Sequence, residues 1–163
     1  MYQYRVTKYD PLKRDRWGAY PADDWISQCQ IGETFGGIVL TQATYQRTED
    51  AYVRAALAFI EDSGEVSLRI AYLENYKNHQ EEGLLLREGS VLGELEIATV
   101  CRLNLRGMIW CKLEDERRFI HFGYDYYMYI GVPVPCEDAK ALASRVGLFV
   151  EEFKSPHCDD ENL

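Results

Sequence analysis

The sequence is short of the residues and motifs that mark most catalytic and nucleic-acid-binding families. It holds three histidines, His79, His121 and His157, far apart and in no metal-ligand spacing. Its five cysteines (Cys29, Cys101, Cys111, Cys136, Cys158) are odd in number, scattered, and form no CxxC pair, so neither a zinc finger nor a disulfide framework is indicated. GxGxxG and GKS/T are both absent, which removes the two common phosphate-binding loops. No run reaches the roughly 18 apolar residues of a membrane helix. The first residues, Met1-Tyr2-Gln3-Tyr4-Arg5, read as a strand rather than a signal core, so the expectation is a cytoplasmic chain with reduced thiols. Positive charge is scarce as well: 18 Lys and Arg stand against 27 Asp and Glu, a net charge of −9. DNA, RNA and membrane surfaces are also negative, so the global field opposes them and favours a basic protein partner.

What the chain has in plenty is tyrosine: twelve, with six Phe and three Trp in 163 residues. Tyrosine joins an apolar ring to a polar tip and suits half-buried surfaces and interfaces. The length fits one domain with a full core, and no repeat, low-complexity tract or linker divides it. Alternation marks strands at 2–9 and 65–73. Thr41 caps a helix over 42–62 whose Tyr45, Tyr52, Ala56, Phe59 and Ile60 form one stripe, closed at Gly64. Residues 10–40 form a long connection with Trp17, Tyr20, Trp25 and Phe35 as packing anchors. Residues 91–106 fit either periodicity, and helix is chosen. A hairpin of 108–113 and 118–132, a helix over 137–146 and a last strand over 148–153 follow. The order predicts an α+β domain, residues 1–154: a mostly antiparallel sheet of about five strands with about three helices on one face. Residues 155–163 read as an acidic, disordered tail with Cys158 exposed, whereas Cys101 and Cys111 read as core fillers.

The segment Phe122-Gly123-Tyr124-Asp125-Tyr126-Tyr127-Met128-Tyr129-Ile130 is the most distinctive. Read as one strand over 118–132, it puts Ile120, Phe122, Tyr124, Tyr126, Met128, Ile130 and Val132 on the core face. His121, Asp125, Tyr127 and Tyr129 then share the other face, as a polar-aromatic strip for binding a partner or as a face covered by the 10–40 connection. In a regular strand His121 and Asp125 lie about 13 Å apart, too far for a direct pair. Asp125 can instead meet Arg5 or Lys112 on a neighbouring strand. Cys111 and His121 are close enough across the hairpin to raise a nucleophilic pair, without a nucleophile turn to support it. Arg5, Lys8, Lys13, Arg14 and Arg16 make one basic cluster, diluted by Asp10 and Asp15.

Three segments together, Tyr4-Arg-Val-Thr-Lys-Tyr-Asp-Pro11, His121-Phe-Gly-Tyr-Asp-Tyr-Tyr-Met-Tyr-Ile-Gly131 and Gly147-Leu-Phe-Val-Glu-Glu-Phe-Lys-Ser-Pro156, resemble a group of small, uncharacterised bacterial proteins of similar length. The resemblance implies a single bacterial domain and supports helix over 91–106. It carries no catalytic residues. Small acidic proteins of this type are often immunity proteins, which cover the active site of a toxin; this is analogy of type. The function expected is therefore a protein-binding module, immunity-type, with a basic toxin domain as partner and with no cofactor, metal or catalytic residue assigned. The alternatives are a small enzyme or ligand-binding protein with a pocket between the sheet and the 10–40 connection, using His121, Asp125 and Tyr127, and a structural or dimerising domain.

Overall fold

The computed structural model describes residues 1–76 and 84–158. Along the chain come β1 (Tyr2–Thr7), a ribbon of β2 (Thr34–Phe35) and β3 (Ile38–Val39), α1 (Gln42–Asp62), β4 (Leu68–Asn75), β5 (Val91–Leu92) and α2 (Glu94–Leu105). β6 (Ile109–Glu114), β7 (Phe119–Phe122), β8 (Met128–Val132), α3 (Glu137–Arg145) and β9 (Phe149–Glu152) complete it. Seven strands form one sheet in the order β5-β4-β6-β7-β8-β1-β9, and every pairing is antiparallel. α1 packs on both α2 and α3, and the three helices share one core with the inward face of the sheet. No helix among the described residues is long and apolar enough to cross a membrane.

The class is the expected α+β, but the sheet has seven strands rather than five. One extra strand is the short β5 before α2. The other comes from the tyrosine segment, which is two strands and not one. His121 pairs with Tyr129 and Phe122 with Met128, so the chain reverses over 123–127. The alternation still assigns the arms correctly: Ile120, Phe122, Met128, Ile130 and Val132 lie in the core. It fails in the turn, where Tyr124 is 88% exposed while Tyr126 is buried.

α1 has the expected bounds. Thr41 Oγ1 accepts from the Thr44 N–H at 3.1 Å and closes the first turn. At its other end Arg118, buried just before β7, donates to the carbonyls of Ile60, Glu65 and Ser67 at 3.3, 2.6 and 3.1 Å, while Asp115 holds its Nε at 2.7 Å. A cation there complements the negative end of the helix and ties it to the chain that leads into β4. Within 91–106 the helix α2 forms after the short β5, and its cap is Gly93, with the Glu96 carboxylate accepting from the Gly93 N–H at 2.8 Å.

The connection 10–40 anchors through Trp25, which is buried; Tyr20 and Phe35 pack partly against the core and Trp17 stays outside. On the outer face of the sheet Gly131 stands opposite Phe119, and any side chain at 131 would collide with that ring. The ring fills the space left by the missing Cβ and stacks on His121 at 4.2 Å. The folded unit also runs past residue 154. Ser155 is buried, with its N–H donating to Gln3 Oε1 at 2.9 Å, so residues 155–158 are part of the domain and not a frayed tail. His79 and residues 159–163 lie outside the described residues.

Candidate functional site

The turn between β7 and β8 combines the most unusual backbone with the most exposed tyrosine. Asp125 and Tyr126 both take positive φ, 57° and 66°. Two such residues in succession suit a tight hairpin, but glycine or asparagine normally supplies them, and a bulky residue there is strained. Within the turn, the Tyr127 N–H donates to the Tyr124 carbonyl at 3.2 Å and the Gly123 N–H to the Tyr127 carbonyl at 2.7 Å.

The strain is offset by two phenols from distant elements. Tyr9 OH donates to the Asp125 carbonyl at 2.6 Å, and Tyr52 OH donates to the Tyr126 carbonyl at 2.7 Å while accepting from the Lys8 N–H at 2.7 Å. The Tyr126 ring packs edge-on against Trp25 and Tyr52, with centroids 5.0 and 5.7 Å away. Its hydroxyl donates to Tyr45 OH at 3.1 Å, and Tyr45 OH donates to Glu49 Oε1 at 3.0 Å. The buried Glu49 carboxylate is gripped by Arg106 Nε and Nη2 at 2.6 and 2.8 Å, with Arg102 at 3.7 Å. Burial pushes the Tyr45 phenol up to about 12 and raises those of Tyr9, Tyr52 and Tyr126 further, so all four remain hydrogen-bond donors at neutral pH. The turn is thus held by a chain of buried tyrosines ending on an ion pair.

Beside the turn lies a cleft of about 220 Å³, between Ser27 of the connection, the C-terminal end of α2 and the turn itself. Trp110, Tyr76 and Tyr124 contribute aromatic wall, and Asp125 lines its rim. The Trp110 Nε1–H is spent on the Phe122 carbonyl at 2.7 Å. Asn104 is spent too: its amide nitrogen donates to the Val100 carbonyl and its oxygen accepts from the Cys111 N–H, both at 3.0 Å.

The four residues that alternation groups as a binding strip do not form one exposed surface. His121 and Tyr129 are buried on the outer face of the sheet, under residues 153–158. Tyr127 is half-buried; its hydroxyl accepts from Arg14 Nη1 at 2.7 Å and its ring lies 5.5 Å from Tyr9. Asp125 alone is exposed, and it belongs to the turn, not to a strand face. Tyr124, assigned by alternation to the core, is the residue the fold presents. The sequence held one signal for this, the Gly123 that begins the reversal. Arg5 does not reach Asp125; it takes Glu151, at 2.8 and 3.1 Å, and Arg14 joins the same carboxylate at 3.2 Å. Lys8 pairs with Asp24 at 2.7 Å beneath the Trp25 ring. Three of the five basic N-terminal residues, Arg5, Lys8 and Arg14, therefore point into the fold and are paired there.

His121 Nε2 lies 2.7 Å from Glu114 Oε1 and its Nδ1 2.9 Å from Ser155 Oγ. A carboxylate, an imidazole and a hydroxyl in line are the parts of an acyl-transfer relay. Here Ser155 is 3% exposed, and its oxygen also accepts the His157 N–H at 3.2 Å. The set is a clasp that seats the C-terminal segment. Cys111 points into the core, on the opposite face of the sheet from His121, so the two make no pair. Burial pushes its thiol up to about 12 and raises that of Cys101 as well, which keeps both protonated. Cys158 is half-buried rather than exposed, and burial raises its thiol too. Among the described residues no three His, Cys, Asp or Glu side chains come together to hold a metal ion.

His157 sits against Trp110, Tyr129 and His121, with ring centroids 5.6, 5.7 and 6.3 Å away. Burial lowers its pKa below the ordinary 6.5, and the charges of His121 and Lys112 add to that. A depressed folded pKa makes this packing complete above 6.5 and weaker as pH falls through the folded value. Exchange of the His157 amide, corrected for its intrinsic pH dependence, is expected to report faster opening at about pH 5 than at about pH 7. Equal opening at the two values would remove His157 from any role in seating the segment.

The fold and this site together define an α+β domain built on one seven-stranded antiparallel sheet, with an aromatic hairpin tip. Compared with protein families, with curated proteins and with solved structures, the chain matches none.

Proposed function

We propose that this chain is a protein-binding module that docks a basic partner through the hairpin tip, in the manner of an immunity-type inhibitor that covers the active site of a bacterial toxin. One observation carries the reading: Tyr124, 88% exposed, and Asp125 stand on a strained turn whose carbonyls are clamped by Tyr9 and Tyr52. Strain of this kind persists only where surrounding structure over-determines it, and it gathers at recognition and catalytic sites. A tyrosine on a backbone already held has only two side-chain torsions to lose on binding. The net charge of −9 steers a basic partner towards it.

The position of the cleft, between the sheet end and the connection, favours a second reading as a small-ligand protein. Its size weighs against that reading. At about 220 Å³ it falls below the roughly 300–1,000 Å³ of most small-molecule sites. His121 is not part of it, so the polar trio of that alternative is broken.

The test is a titration calorimetry series with the protein product of the adjacent gene, or with the partner purified on the immobilised chain from its native source. The expected result is a saturable one-to-one complex in which neither protein is chemically altered. Tyr124→Ala should weaken it at least tenfold, the loss of about 1.4 kcal/mol typical of an interface anchor. A complex indifferent to both Tyr124→Ala and Asp125→Asn would place the surface elsewhere. Turnover of the bound molecule would sink the module reading.

A further inference from the structure

We infer that the cleft beside the hairpin tip is a guanidinium site, and that it receives one arginine side chain of the partner; this rests on the protein-binding reading above. Aromatic residues dominate the walls, Trp110, Tyr76 and Tyr124 among them. Aromatic faces attract cations, and a planar guanidinium also stacks on them. Tyr76 is fixed for this use. Its hydroxyl donates to Glu74 Oε2 at 2.8 Å, and Tyr72 donates to Oε1 of the same carboxylate at 2.8 Å. These two bonds hold the Glu74 carboxyl below its ordinary range, so it remains an anion behind the ring.

The charges of the wall decide the sign of the guest. Among the described residues, two charged side chains line the cleft, Arg106 and Asp125. Arg106 is neutralised by its two-pronged contact with Glu49 at 2.6 and 2.8 Å. The Asp125 carboxylate meets no hydrogen-bond or ion-pair partner among the described residues; the turn is held through its carbonyl instead. An aromatic wall whose one carboxylate has no partner among the described residues selects a cation. The volume suits one side chain rather than a whole metabolite. Arginine fits better than lysine because its flat, weakly hydrated head can lie against a ring and still present two N–H groups to one carboxylate.

The probes are N-acetyl-arginine amide, its lysine counterpart and its neutral citrulline isostere, titrated into the whole chain and followed by heteronuclear NMR. Saturable shifts are expected at the Gly107, Gly123 and Tyr124 amides and at the Trp110 indole N–H for the arginine probe, with millimolar affinity. Citrulline should bind at least tenfold more weakly. Asp125→Asn, which keeps the turn because asparagine tolerates positive φ, should weaken the arginine probe about fivefold, the worth of one exposed ion pair. Tyr124→Ala, at an exposed position, should weaken it by a similar factor. Citrulline binding as well as arginine, or no shift at these positions, overturns the site. Lysine binding as tightly as arginine overturns the guanidinium assignment. If the partner complex forms while the arginine probe fails, the inference falls and the protein-binding reading stands. If the probe binds but no partner does, the reverse holds.

Discussion

Replacing Tyr52 by phenylalanine is expected to lower the free energy of unfolding by about 2–4 kcal/mol, although the ring that packs the core is unchanged. The hydroxyl lost is a junction. It accepts the Lys8 N–H and donates to the Tyr126 carbonyl, both at 2.7 Å, inside a core where Tyr52 is fully buried. Phenylalanine leaves a donor and an acceptor buried without partners, and each such group costs about 1–3 kcal/mol. The lower half of the summed range is expected because the turn can relax towards solvent. Urea unfolding followed by circular dichroism measures the loss. Exchange of the Tyr127 amide, which closes the turn on the Tyr124 carbonyl, should accelerate beyond what global destabilisation explains. A loss under about 1 kcal/mol with unchanged exchange would mean that the turn holds itself, and that the account of its rigidity is wrong. Tyr9→Phe removes one bond to a carbonyl nearer the surface and should cost about 1 kcal/mol.

The second large effect lies at the far end of the same chain of contacts. Glu49 is 1% exposed, and Arg106 is its closest cation, at 2.6 Å. Arg106→Ala strands a buried carboxylate. Breaking a buried pair from one side typically costs about 3–5 kcal/mol, and the low end applies because Arg102 at 3.7 Å and the Tyr45 hydroxyl remain. Replacing both partners, Arg106→Ala with Glu49→Gln, removes the stranded charge and should cost less than Arg106→Ala alone. A double variant as unstable as the sum of the singles would show that the two side chains do not act as a pair. The same experiment bears on the tip, because Tyr45 links Glu49 to the Tyr126 hydroxyl. Loss of the pair should loosen the presentation of Tyr124 as well as the core.

Much of the fold was legible in the chain because local rules and tertiary packing agree there. α1 follows from a threonine cap, an apolar stripe and a glycine stop. The arms of the tyrosine hairpin follow from alternation, which puts Ile120, Phe122, Met128 and Ile130 inside. The clearest failure is the hairpin itself. Its turn lacks the asparagine–glycine or aspartate–glycine pair that announces a reversal, and four of the five residues over 123–127 are tyrosine or aspartate. Tyrosine favours strands, so the local reading runs straight through. What bends the chain there is the set of hydroxyls from Tyr9 and Tyr52, which are 116 and 74 residues away from the carbonyls they hold. The C-terminal segment failed for the same reason. Ser155 reads as tail on composition, and its burial comes from His121 and Gln3, at separations of 34 and 152 residues.

Residue type and spacing by themselves determined an acidic α+β domain, its long first helix and the burial of the hairpin arms, because burial of an apolar stripe is settled by period alone. Only the tertiary structure decided that Tyr124 faces solvent while Tyr126 is buried, that His121 and Tyr129 lie beneath residues 153–158, and that Arg5, Lys8 and Arg14 turn inward. Each of these rests on a directional contact, a hydroxyl to a carbonyl or a cation to a carboxylate. The partner in such a contact is fixed by where the folded chain brings it, and no local period records that.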